Sequence, residues 1–262
     1  MPYCAGIFYR SYKRKYQGYT YPVILIHGTG STHMGWPFQF RRIPGQHIIA
    51  LDLPAHGESD GTCCRSIVEL AARLHEFLQE MRIYQAVLVG HSLGGAVALS
   101  YAAFHPERVR ALMLLGCGAS FNIPPFLLDI LRPPARLSQA TNFLLNNAFA
   151  SGFPFKKRQE IISPMNSLRA NTMLSDLLIC SRFSAPEELK DLGKPVEMVG
   201  GEMDTIAEPK SLRMLSHMLP QSHFRLLPGA GHMLPFEKTE ELEALLFQFL
   251  AKVASYQVMY EM

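Results

Sequence analysis

Six short apolar runs, at 22–26, 47–52, 86–90, 110–115, 195–200 and 223–228, constrain this chain more than any other feature. Each is too short for a helix, and several are β-branched and bounded by glycine. Such runs read as strands buried on both faces, the signature of a parallel sheet. Helical periodicity fills most of the gaps between them. At 66–81, Ile67, Leu70, Ala71, Leu74, Phe77 and Leu78 fall on one face at spacings of three and four. The segment 93–104 is rich in small residues and apolar nearly all round, as a helix packed centrally on a sheet must be. Segments 209–218 and 239–253 add two amphipathic helices. Strands alternating with helices build right-handed βαβ units, so the predicted fold class is α/β, a doubly wound, mostly parallel sheet. Residues 3–9 are expected to form an antiparallel edge strand. A chain of 262 residues can bury one large core of this kind.

The alternation breaks between 119 and 189. Pro124, Pro125, Pro133, Pro134, Pro154, Pro164 and Pro186 punctuate short helical pieces at 126–131, 140–149 and 173–180. The stretch is too long for a loop and too apolar for a linker. It is expected to be a helical cap (119–189) inserted into a core made of 1–118 and 190–262.

Composition excludes several classes of partner. A net charge of +3 on 262 residues is too small to imply nucleic acid. The run Arg10, Lys13, Arg14, Lys15, interleaved with Tyr9, Tyr12 and Tyr16, is expected to be an exposed hairpin tip, and Lys156, Lys157 and Arg158 a solvated helix face. Five cysteines at irregular spacing make neither a disulfide framework nor a metal site. No secretory leader and no apolar run long enough to span a bilayer stand out, so a cytoplasmic location is expected. The sequence is compatible with a homodimer without fixing the oligomeric state.

The chemistry gathers at Gly90-His91-Ser92-Leu93-Gly94-Gly95, placed between the strand at 86–90 and the helix at 93–104. Gly-x-Ser-x-Gly in a strand–turn–helix setting holds a serine hydroxyl above the sheet edge on a strained backbone. Glycines two residues either side avoid collision with neighbouring chain. Gly95 lets the helix pack close. A hydroxyl needs a base within hydrogen-bond reach to act as a nucleophile.

With this elbow in place, the chain resembles the α/β-hydrolase superfamily from about Pro22 to about Val253. Four further segments match the family pattern in order: His27-Gly28-Thr29-Gly30-Ser31, Asp52 to Ser59, Gly200 to Asp204, and Gly229-Ala230-Gly231-His232. The resemblance implies a Ser92 nucleophile, a His232 base and an Asp204 acid, with Glu202 as a competitor two residues away. Ten histidines are present, but only His232 follows the last strand, where the order Ser…Asp…His puts the base. His91 is expected to point away from the elbow, while His27 and His56 shape turns around the site. The alternative acid position, 116–121, holds no carboxylate. The oxyanion hole is expected from the N–H groups of Leu93 and Thr29, with Gly30 close behind and the Thr29 hydroxyl as a further donor. Ala55 stands where the family commonly has glycine, and Trp36 is expected to pack on the sheet.

What the resemblance implies is hydrolysis of small-molecule carboxylic esters with small to medium apolar groups, without cofactor or metal. Met203, Met233, Phe121, Phe126 and Phe143 are expected to line the pocket. A serine elbow excludes the dehalogenases and epoxide hydrolases of this fold. Three alternatives stay open: carbon–carbon bond hydrolysis of ring-cleavage products, a perhydrolase or haloperoxidase-like activity, and a small-molecule receptor with slow turnover. His91 stands where the carbon–carbon hydrolases often have asparagine.

Overall fold

The computed structural model describes residues 2–13, 21–132, 136–163 and 170–260. Its strands are β1 (Tyr3–Cys4), β2 (Ile7–Lys13), β3 (Val23–Ile26), β4 (His47–Leu51), β5 (Ala86–His91), β6 (Val109–Leu115), β7 (Val196–Gly201) and β8 (Ser222–Leu227). They form one sheet in the order β1-β2-β4-β3-β5-β6-β7-β8. The β1–β2 and β2–β4 pairs are antiparallel, and β4 through β8 are parallel. The antiparallel edge and all six predicted strands are present, with ends shifted by at most a residue or so within the parallel part.

The helices are α1 (Ile67–Glu80), α2 (Leu93–Phe104), α3 (Pro125–Leu131), α4 (Leu137–Ala148), α5 (Phe155–Ile162), α6 (Ala170–Ser181), α7 (Pro209–Met218), α8 (Leu234–Glu237) and α9 (Thr239–Tyr260). Ser66 starts α1 by accepting the Glu69 N–H at 3.1 Å. Successive strand residues face opposite sides. Ile24, Ile26, Leu88, Leu112 and Leu114 pack with α1, α2 and α7 on one face. Val23, Leu25, Val87, Val89 and Met113 pack on the other with Trp36, Phe40 and the Leu242 and Leu246 side chains of α9. Parallel strands buried on both faces need continuous apolar sequence, which is why the inner runs do not alternate. Strand β8 departs from that expectation, because at the sheet edge it exposes His223 and Arg225.

Among the described residues four α-helices, α3 to α6, lie between β6 and β7 and have a small core of their own. Leu127, Leu131, Ala140, Leu144, Met173 and Leu177 form it. Two expectations about charge change. Arg158 is buried rather than solvated: its guanidinium donates to the carbonyls of Ala150 at 2.7 Å, Ser151 at 2.9 Å and Phe153 at 2.8 Å. That fork fixes the chain leaving α4, which charge patterning could not reveal. Arg10 is exposed but lies within β2, as does Lys13, so these two belong to a strand and not to a hairpin tip. Arg14, Lys15, Tyr16, Pro133, Pro134 and Pro164 lie outside the described residues. Among the described residues no helix is long and apolar enough to cross a membrane.

Candidate active site

Parallel strands bring the ends of β5, β7 and β8 to one edge of the sheet, where ligand crevices of open α/β sheets form. Ser92 sits at the β5–α2 turn with φ 53° and ψ −119°, a backbone that L-residues rarely adopt. The turn is this tight because its neighbours lack side chains. A Cβ on Gly90 would strike the Gly94 carbonyl, and one on Gly94 would strike the Ile26 carbonyl. The serine is 6% exposed, so its hydroxyl is met from a cavity rather than from bulk solvent.

His232 lies in the loop after β8. Its Nε2 is 2.8 Å from Ser92 Oγ, and its Nδ1 is 2.8 Å from Asp204 Oδ2. A carboxylate can only accept, so Nδ1 carries the hydrogen and Nε2 is left to accept the serine O–H. The other Asp204 oxygen accepts the N–H groups of Ile206 at 2.8 Å and Ala207 at 2.9 Å, which fixes the carboxylate plane. Glu202, the competing acid, is exposed. The His232 backbone is pinned as well: its N–H donates to the Ala148 carbonyl at 2.7 Å, at the last turn of α4. Both Glu237 oxygens accept the Gly231 N–H, and Oε2 also accepts that of Ala150 at 2.8 Å.

His91 departs from expectation. Its ring lies 5.3 Å from that of His232, and its Nε2–H donates to the His232 carbonyl at 2.9 Å. Burial and the neighbouring His232 drive its pKa down to about 3, so it remains neutral. Sequence order alone cannot distinguish an adjacent ring that braces the loop from one that leaves the site. His27 and His56 do hold turns. His27 Nδ1–H donates to the Gly28 carbonyl at 2.8 Å while Nε2 accepts the Leu53 N–H at 2.9 Å. Burial and the charge on His56 bring its pKa down to about 4.

The N–H groups of Leu93 and Thr29 have no protein acceptor among the described residues. The Gly30 N–H is not available in the same way, because it donates to Asp176 Oδ2 at 3.1 Å. The Thr29 hydroxyl faces Cys180 Sγ at 3.8 Å. The acceptor for Gly30 comes from a helix 146 residues away in sequence, so no local pattern announces it.

A cavity of about 600 Å³ opens over Ser92 and His232. Of the expected lining, Phe121 and Met233 are on its wall. Met203, Phe126 and Phe143 are not. Met203 and Phe126 are exposed, and Phe126 packs edge-to-face on Phe143 at 4.8 Å. The insert contributes Leu144, Ile161, Leu177 and Cys180 instead, and Ile206 comes from the loop after β7. Ala55 keeps the left-handed turn of a glycine, at φ 65°. Trp36 is buried against the sheet.

The family model described as "Alpha/beta hydrolase family" matches residues 23–245. Among curated relatives, the chain is 28% identical over 260 residues to the dihydrolipoyllysine-residue acetyltransferase component of an acetoin cleaving system from Pseudomonas putida. That match covers 88% of this chain but only 64% of the relative, so the chain spans under two thirds of its length. It is 26% identical to a 2-hydroxy-6-oxononadienedioate/2-hydroxy-6-oxononatrienedioate hydrolase from Paraburkholderia phymatum, covering 88% of this chain and 87% of that one. Among solved structures, one described as a thermophilic esterase is 30% identical, with a TM-score of 0.79 and 95% of each chain covered.

Proposed function

Because the chain belongs to the alpha/beta hydrolase family, we propose that it is a serine esterase in which Ser92 is the nucleophile, His232 the base and Asp204 the acid. The observation that carries this reading is the unbroken chain of 2.8 Å contacts from Ser92 through His232 to Asp204. Ser92 Oγ attacks the ester carbonyl as its proton passes to His232 Nε2, and Asp204 stabilises the imidazolium. The tetrahedral oxyanion is held by the N–H groups of Leu93 and Thr29, the former at the positive end of α2. Collapse expels the alcohol, which takes the proton from His232. Water then attacks the acyl-enzyme with His232 as base, and the acid product leaves.

The substrate is a neutral ester with an apolar group of small to medium size. Phe121, Leu144, Ile161, Leu177, Ile206 and Met233 supply an apolar wall that suits such a group. The lining also carries the carboxyl groups of Asp60 and Glu160. Like charge disfavours substrates with carboxylates of their own, which weighs against ring-cleavage acids. The helices at 119–189 serve as the cap that closes this space.

The test is hydrolysis of a p-nitrophenyl ester chain-length series by wild type and Ser92→Ala, alongside labelling by a fluorophosphonate. Turnover and labelling that both vanish in Ser92→Ala are expected. Neither in the wild type would overturn the enzyme reading, and survival in Ser92→Ala would overturn the residue assignment. Fast cleavage of a vinylogous 1,5-diketone with poor ester turnover would assign the carbon–carbon hydrolase instead.

A further inference from the structure

We propose that Asp176, on α6 of the insert, is a positioning residue for the oxyanion turn at 28–30. The proposal rests on the serine-esterase reading above. Helix α6 buries Thr172, Met173, Asp176, Leu177 and Cys180, which share one face at spacings of three and four. Within that face Asp176 is 4% exposed and carries the only carboxylate. A buried carboxylate is costly without partners. Its Oδ2 accepts two donors from the core, the Gly30 N–H at 3.1 Å and His56 Nε2 at 2.9 Å.

The peptide planes explain why this matters for catalysis. In a trans peptide the C=O of one residue and the N–H of the next point in opposite directions. His27 Nδ1–H holds the Gly28 carbonyl at 2.8 Å, which aims the Thr29 N–H the other way. Asp176 holds the Gly30 N–H, which fixes the second plane flanking Thr29. Thr29 therefore presents its donor from a turn clamped on both sides, once by the core and once by the insert. Preorganised donors stabilise an oxyanion because they need not reorient as charge develops.

His56 completes the clamp. Its Nδ1 is 3.0 Å from the Pro54 carbonyl, which can only accept, so the ring carries a hydrogen there. Its Nε2 faces the Asp176 carboxylate, so it carries a second hydrogen and the ring is an imidazolium. Burial pulls the His56 pKa down, but the Asp176 carboxylate, the Pro54 carbonyl and Asp52 together outweigh it, and the net direction is upward. Among the described residues the charged or titratable groups facing His56 are Asp176 from α6, Asp52 past the end of β4, and His27 past the end of β3. Asp52 adds to the upward direction, while His27 stays neutral. Helix α6 is sutured to the same segment by Ser175 Oγ, which donates to the Cys64 carbonyl at 2.8 Å. A buried ion pair adds little net stability compared with an apolar substitute. Its use here is geometric.

The experiment compares wild type, Asp176→Asn, Asp176→Ala and His56→Gln on p-nitrophenyl butyrate, with melting curves and inhibition by phenylboronic acid as an oxyanion mimic. Asp176→Ala should lower kcat by about 10- to 100-fold with KM changed by less than about threefold. Phenylboronic acid affinity should fall in parallel. Asp176→Asn keeps an oxygen for Gly30 but loses the charge, so it should fall between the two. Its kcat–pH profile should shift to lower pH on the alkaline side, as His56 gives up its proton more easily. Folded Asp176→Asn and His56→Gln enzymes with wild-type kcat, pH profile and boronate affinity would overturn the inference and leave the esterase reading intact. These two variants conserve volume, so they decide the matter even if Asp176→Ala fails to fold. A wild type without ester turnover or fluorophosphonate labelling would overturn the esterase reading first, and this inference with it.

Discussion

Asp204 Oδ2 and His232 Nδ1 lie 2.8 Å apart, and the second Asp204 oxygen is held by two backbone N–H groups. The carboxylate therefore cannot turn away from the imidazole, and it dictates which ring nitrogen carries the hydrogen. In Asp204→Asn the amide can present an N–H to Nδ1, which reverses the tautomer and leaves Nε2 unable to accept the serine proton. We expect kcat to fall by about 10⁴ with the fold intact. Glu202→Gln, at an exposed side chain, should change kcat by less than about twofold. Steady-state ester kinetics on both variants check this, and damage confined to Glu202→Gln would reassign the acid.

Ser92 holds a left-handed backbone at φ 53° for the sake of its hydroxyl. Such strain costs on the order of 1–3 kcal/mol and is relieved by glycine. Ser92→Gly should be inactive yet melt higher than Ser92→Ala, which keeps the strain and loses the hydroxyl. A lower melting temperature for the glycine variant would show that the elbow is not strained.

His27 and His91 are buried and neutral, with pKa values driven from 6.5 to about 4 and about 3. Both are lowered, so below pH 6.5 the unfolded chain binds protons that the folded one refuses. Stability must then fall as pH drops from 6.5 toward 4, with a slope of up to about 1.4 kcal/mol per pH unit for each group. Urea titrations at pH 7, 6 and 5 should show this. Flat stability across that range would contradict it.

Glu237 has the opposite sign. Burial raises its pKa above 4.5, while N–H groups of Ala150, Gly231 and Met233 restrain the rise. The folded state holds its proton longer than the unfolded state, so this group withdraws stability as pH rises above 4.5. Glu237→Gln should remove that component and leave the rise of stability with pH just above pH 4.5 steeper, because nothing from this group then opposes His27 and His91. The cost is one acceptor for the His232 loop, so a modest loss of kcat should accompany the change. An unchanged pH dependence would exclude Glu237 as its source.

The strands, α2 and the elbow were legible because their signals are local. The run 86–90 feeding directly into a glycine-flanked serine leaves the backbone few alternatives. Ala55 was readable as a departure, yet its left-handed φ of 65° shows that neighbouring contacts hold the turn without glycine. The cavity wall was not legible in the same way. Phe126 and Phe143 are apolar cap residues like Leu144 and Leu177, and hydropathy cannot say which of them face inward. Arg158 looked like part of a charged surface run, because the three carbonyls that bury it belong to a turn eight and fewer residues upstream.

By itself the sequence determined the sheet, the placement of helices between strands, and the order in which Ser92, Asp204 and His232 enter the edge of that sheet. These follow from periodicity and turn chemistry, which act over a few residues. Tertiary structure decided that Asp204 rather than Glu202 meets His232, that Gly30 is tied to Asp176, and that the insert holds both turns of the site. Those outcomes depend on hydrogen bonds between groups 28 to 146 residues apart. Such bonds are short-ranged and directional, so they exist only once packing has fixed where each donor points.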